Sequence, residues 1–132
     1  MSLANMSLAN SAVRDGNVIY STLSPVGERE SVGAMLVRNA ARLADHAVYG
    51  VNKGDGHFHR VTWAECLRDV VTVGRFLSQA GVGPNSRVVS FSPNRGETLI
   101  VEFATMCLGA TYVPIFAGYP AEQARDLIEY AD

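Results

Sequence analysis

Three places in the sequence hold side chains whose type and spacing could do chemistry. His57 and His59 stand two apart in an extended run, which puts both imidazoles on one face of a strand and would suit a metal if a third ligand arrived. No cysteine or carboxylate at metal-site spacing accompanies them, so solvated side chains on an exposed hairpin are the expectation. Ser90 and Ser92 flank Phe91 at the C-terminal end of a strand, where α/β folds place ligands. A serine nucleophile would need a Gly-x-Ser-x-Gly elbow with His and Asp partners, and the sequence has no such set. Residues 92–97 contain one glycine, Gly96, where a dinucleotide fingerprint or a P-loop needs more, and the only lysine, Lys53, lies far away in sequence. Arg95 and Glu97 stand at the mouth of a helix and could touch a substrate or partner, but a solvated first turn is the commoner outcome and the expectation here. His46 reads as a cation beside the last carbonyls of a helix. No catalytic, cofactor-binding or metal-binding residue is assigned.

The chain that must position these groups has 132 residues, of which 48% are hydrophobic and 18% charged, the range of one soluble domain. A net charge of −2 supplies no basic excess for nucleic acid. Cys66 and Cys107 each fall inside an apolar helical pattern, as expected of reduced thiols in a cytoplasmic protein. No apolar run is long enough to span a membrane, and the start lacks the pattern of a secretory signal. Residues 1–5 (MSLAN) repeat verbatim as residues 6–10, which reads as a duplicated leader or expression scar. Residues 11–30 form a weakly patterned arm with Val18, Ile19 and Tyr20 as its only strand candidate.

From Ser31 the apolar residues Val32, Met35, Leu36, Ala40, Leu43 and Ala44 recur at helical spacing, predicting a helix that ends near Asp45 or His46. Residues 47–51 and 57–61 are extended runs about a Gly- and Asn-containing turn, which predicts a β-hairpin. Thr62 and Glu65 have the spacing of a capping box at the head of a helix running to Ala80, with Gly81 as its left-handed cap. Residues 87–91 and 111–116 read as buried strands around a helix, capped by Asn94 and apolar on nearly all sides from Leu99 to Leu108. Pro114 places its strand at an edge or a bulge. Tyr119 and Pro120 launch a last helix. The pattern is α/β, a β-hairpin plus a short parallel sheet with βαβ crossover helices, and the sheet looks unfinished.

Two of these segments resemble motifs of the adenylate-forming superfamily, which includes acyl-CoA synthetases, peptide-synthetase adenylation domains and luciferases. Residues 61–66 (VTWAEC) are similar to the family's L-T-Y-x-E-L, with Trp63 for Tyr and Cys66 for Leu. Residues 108–115 (LGATYVPI) resemble A-G-x-x-Y-V-P-L, and residues 81–88 (GVGPNSRV) stand where the family has G-V-x-x-G-D-R-V. Asn85 and Ser86 replace Gly and Asp there, in a turn. Residues 115–123 (IFAGYPAEQ) look most like long-chain and medium-chain acyl-CoA synthetases.

The resemblance implies that residues 31–132 are an incomplete N-terminal subdomain of the adenylate-forming fold, truncated. The parent would activate a fatty acid with ATP and Mg2+ to an acyl-adenylate and transfer it to CoA. It would be cytoplasmic or peripheral at a membrane. The family's phosphate loop, magnesium and ribose residues and lid lysine would all lie downstream of Asp132, so this chain is expected to be inactive alone. Its partner would be the rest of its own polypeptide, and the cut sheet is expected to self-associate through its edge or through the apolar 97–109 helix. Two alternatives remain at this level. One is a non-enzymatic α/β protein-interaction module, and the other is a fragment of a fatty-acyl-AMP ligase or peptide-synthetase adenylation domain.

Overall fold

A computed structural model describes residues 12–15, 18–21 and 30–131. The duplicated residues 1–10 lie outside the described residues. Within the arm, β1 (Ala12–Asp15) pairs antiparallel with β2 (Val18–Ser21). The second of these is the expected strand. The first was not foreseen, because Ala-Val-Arg-Asp has neither a β-branched run nor a clean alternation to mark it.

Helix α1 (Val32–Arg42) begins at Ser31, whose hydroxyl accepts from the Ala34 amide at 3.1 Å. It ends three residues sooner than the apolar pattern suggests, with Leu43 as its last cap residue and Arg42 in its final turn. His46 is therefore not a helix-end cation. Its carbonyl instead accepts from Trp63 N–H at 3.0 Å, and that of Ala44 accepts from Ala64 N–H at 3.1 Å.

Those two bonds feed the start of α2 (Trp63–Gln79). The third free N–H, that of Glu65, goes to the Thr62 hydroxyl at 3.3 Å, and the Glu65 carboxylate accepts from Thr62 N–H at 2.9 Å. All three leading donors of the helix are thus satisfied, two by the segment after α1 and one by the capping box. Between the helices, β3 (Ala47–Asn52) and β4 (Phe58–Thr62) form the expected hairpin, with Ala47 opposite Thr62 but Tyr49 opposite Val61. The extra residue is Val48. Such a bulge re-aims neighbouring side chains, and both Val48 and Tyr49 pack on the core.

Strand β5 (Arg87–Ser92), helix α3 (Gly96–Cys107), strand β6 (Thr111–Phe116) and helix α4 (Ala121–Ala131) complete the order, and β5 and β6 pair in parallel. Both crossings from helix to strand use one device. Gly81, at φ +90°, gives its N–H to Ser78 O while Val82 N–H reaches Leu77 O. Gly109, at φ +71°, gives its N–H to Met106 O while Ala110 N–H reaches Thr105 O. These are Schellman caps, and they free the chain to turn at once into β5 and β6. In the turn before β5, Asn85 takes φ +71° after Pro84, and Ser86 N–H bonds Gly83 O at 3.0 Å. That is type II turn geometry, so Asn in place of Gly is tolerated.

Helices α1, α2 and α3 pack on one another and on the hairpin, around Leu36, Cys66, Val70, Ile100 and Ala104. The described residues hold three two-stranded sheets, one more than the sequence pattern suggested. Pro114 sits opposite Ser90 in the parallel pair, where both strands are edges among the described residues.

Two outcomes follow for stability. Leu36→Ala should cost about 3 kcal/mol, since Leu36 is fully enclosed, whereas Thr62→Ala should cost about 1 kcal/mol, both by denaturant unfolding. Of the two free thiols, Cys107 is exposed and Cys66 is buried, so a thiol reagent should modify one per native chain and two per unfolded chain.

Candidate functional site

The residues singled out in the sequence do not converge on one place. His57 lies just before β4, in the turn, while His59 is within the strand, so the pair does not share a strand face. The loop is organised by carboxylate and amide groups. Asn52 Oδ1 accepts from Gly54 N–H at 2.8 Å, Asp55 Oδ1 accepts from His57 N–H at 3.1 Å, and Asp55 Oδ2 lies 2.5 Å from His59 Nε2. The imidazole thereby acts as a turn fastener. No group of three His, Cys, Asp or Glu side chains able to hold a metal occurs among the described residues.

Ser90 and Ser92 do reach a cleft. It has a volume of about 660 Å³ and opens at the C-terminal end of the β5–β6 pair. Register explains its make-up. Ser90 is opposite Pro114 and Ser92 opposite Phe116, so alternate residues of both strands face one way. Tyr112 joins them from β6, and Thr98 and Glu102 come from α3, one helical turn apart. The floor beyond β6 is the turn at Ala117 and Gly118, where Tyr119 N–H bonds Phe116 O at 3.1 Å and the Phe116 and Tyr119 rings meet edge to face at 5.9 Å. A Cβ at Gly118 would stand 2.5 Å from the Phe116 ring, so only glycine lets that ring lie over the turn.

Glu102 is the residue that periodicity passed over. It is the only ionisable carboxylate between Glu97 and Glu122, set in a helix otherwise read as apolar on nearly all sides. A charge at the one break in such a helix was the available signal.

Arg95 and Glu97 belong to a second cleft of about 730 Å³, between the hairpin and the start of α3, which Tyr49, Lys53 and Phe58 also line. Asn94 was expected to cap α3, but the cap position falls on Arg95. Thr98 takes over from inside the helix, accepting from Arg95 N–H at 3.3 Å and donating to Arg95 O at 2.5 Å. Gly96 is set by close approach, since a Cβ there would lie 3.0 Å from Val51 and 3.1 Å from Tyr49. Arg95 and Glu97 contact each other at 3.4 Å with both side chains exposed, which is worth little. Burial above all, then Cys66 and the nearby carboxylates, pushes the Tyr49 phenol up, keeping it neutral.

As a place for chemistry the first cleft offers hydroxyls, one carboxylate and aromatic edges, at the strand ends where open α/β sheets bind ligands. It has no lysine, arginine or glycine-rich loop to hold a triphosphate. The lining of this cleft therefore offers no cationic cradle for a triphosphate.

The His59 contact and then the His57 amide hold the Asp55 carboxyl below its ordinary range. A carboxylate depressed in the folded state stabilises the fold above its unfolded value and loses that contribution as pH falls through the folded one. Carboxyl NMR titration should therefore place Asp55 below an unstructured aspartate, and His59→Ala should raise it. An unchanged Asp55 midpoint in that variant would refute the contact.

With this geometry in view, the AMP-binding enzyme family model matches residues 36–132. The long-chain-fatty-acid–CoA ligase FadD15 of Mycobacterium bovis is 35% identical over 104 residues, covering 79% of this chain and 17% of that protein. Acetyl-coenzyme A synthetase of Burkholderia mallei is 30% identical over 89 residues, covering 67% of this chain and 14% of that protein. Among solved structures, acetoacetyl-CoA synthetase from Streptomyces lividans superposes with a TM-score of 0.71 at 23% identity, over 76% of this chain and 16% of that one. The chain thus spans about one sixth of the length of these relatives. Its mixed α/β fold is that of the N-terminal part of adenylate-forming enzymes. With nearly three quarters of its residues matched, this chain belongs to the AMP-binding enzyme family.

Proposed function

We propose that this chain is the N-terminal portion of an acyl-CoA synthetase whose complete form adenylates a fatty acid with ATP and Mg2+ and passes the acyl group to CoA. The observation that carries this reading is the match to FadD15 across 79% of the chain, beside a family match over residues 36–132 that takes in the hairpin, the capping box and the β5–α3–β6 unit. The match to acetyl-coenzyme A synthetase is shorter, so a long acyl group is favoured over a two-carbon one.

The portion's own role is scaffolding. Thr62 and Glu65 cap a helix, and Gly109 and Pro114 shape the return into β6. None of these is assigned a catalytic role. The cleft at the β5–β6 ends contributes one wall of a ligand site, and the groups that bind phosphate and metal come from the remainder of the enzyme. The partner of this chain is accordingly the rest of its own polypeptide, in a cytoplasmic enzyme. No helix among the described residues is long and apolar enough to cross a membrane.

Separated from that partner, the chain leaves both edges of the β5–β6 pair open among the described residues and exposes Phe91 and Phe116 toward its strand ends. Self-association is the expected result.

The 132-residue chain should show no pyrophosphate exchange with any fatty acid, whereas the full-length protein should exchange and should form a CoA thioester with long-chain acids. Exchange by the short chain at the rate of the full-length protein would overturn the assignment, and so would a full-length protein that adenylates only amino acids. By light scattering the short chain should grow beyond a monomer as concentration rises. A monomer throughout would contradict the open-edge argument.

A further inference from the structure

The two outer edges of the β5–β6 pair are not equivalent, and the ladder shows why. Thr111 N–H bonds Ser86 O at 2.9 Å, so Thr111 turns its backbone polar groups toward β5. From there the register runs without a shift to Ser92 and Phe116. Alternation then turns Val113 and Ile115 inward as well, and turns Tyr112, Pro114 and Phe116 outward. On β5 the inward set is Val88, Ser90 and Ser92, while Val89 and Phe91 aim their N–H and C=O groups at the free side.

Pro114 has no N–H, and it stands in the middle of the outward set of β6. A strand approaching that edge meets a missing donor, which is one way sheet edges are blunted. The outer edge of β5 has no such gap. Its outward residues Val89 and Phe91 are a β-branched and an aromatic residue, the types that pair well across strands. No strand pairs along this edge among the described residues, and Phe91 is 47% exposed.

We propose that two copies of this chain join through the outer edge of β5, antiparallel about a two-fold axis centred on Ser90, in the strand order β6–β5–β5–β6. The inference rests on the reading that the separated chain self-associates, and it names the edge and the register. A second copy is the occupant because the edge is self-complementary in this register. Val89 of each chain stands opposite Phe91 of the other copy and exchanges both backbone bonds with it. The two Ser90 residues meet between them, in the closer pair that makes no backbone bond. Such a contact uses the same patch on both copies and closes at the dimer, and the Pro114 edges left outside do not extend it.

The test uses the 132-residue chain with its exposed thiol removed by Cys107→Ser. Opposed Ser90 Cα atoms in this register lie about 4.5 Å apart, within disulfide reach. Ser90→Cys should therefore give a covalent dimer under mild oxidation, and Phe116→Cys, on the blunted edge, should not. Phe91→Lys should weaken the dimer by about tenfold or more, by light scattering, with the far-UV circular dichroism unchanged. A dimer that Phe91→Lys leaves intact would overturn the proposal, and so would a Ser90→Cys dimer that does not cross-link or one that cross-links through Phe116→Cys instead. A chain that is monomeric at every concentration overturns this inference and the expected self-association together. Pyrophosphate exchange by the full-length protein is read independently, so failure of the interface is distinguishable from failure of the enzyme assignment.

Discussion

A helix with almost no polar face must find partners around most of its circumference, and α3 imposes that demand on everything near it. Ile100 and Ala104 meet Leu36 of α1 together with Cys66 and Val70 of α2. Its first residue, Gly96, lies against the hairpin, and it also packs on β5 and β6. Thr105 is the one fully buried polar side chain among the described residues, and its hydroxyl is satisfied within the helix by donating to Val101 O at 2.7 Å. The sheets, by contrast, are only two strands wide and would be marginal without a helix to lie on.

The same helix divides the molecule into a finished side and an unfinished one. Toward α1 and α2 it closes a core of fully enclosed residues. Toward β5, β6 and α4 the packing is thin. Ala124 is the only buried residue of α4, and Leu127, Ile128 and Tyr130 of that helix are exposed. The cleft with Glu102 opens on this thin side.

Much of this was legible in the residues because the signals were local. The capping box of Thr62 and Glu65, the left-handed glycine at 81 and the two strands around α3 depend on neighbours within a few positions, and each appears where the pattern puts it. What failed depended on partners distant in sequence. The end of α1 is set partly by the demand of α2 for acceptors at Ala44 and His46, and no helical periodicity encodes that. Asn94 lost the cap of α3 because Thr98 reaches back to Arg95. The pairing of His57 with His59 dissolved because β4 starts at Phe58, one residue later than alternation suggested. Family membership was legible for a different reason: it rests on the order of several local motifs, each tied to a turn or a cap that the fold requires.

If α3 is the element on which the rest depends, protection from exchange should radiate from it. Native-state amide hydrogen exchange, resolved by residue, tests this most directly. The account predicts the slowest amides in α2 and α3, with those of α4 exchanging faster by about tenfold or more. Amides of α4 as slow as those of α3, or a hairpin that outlasts both α2 and α3, would contradict it.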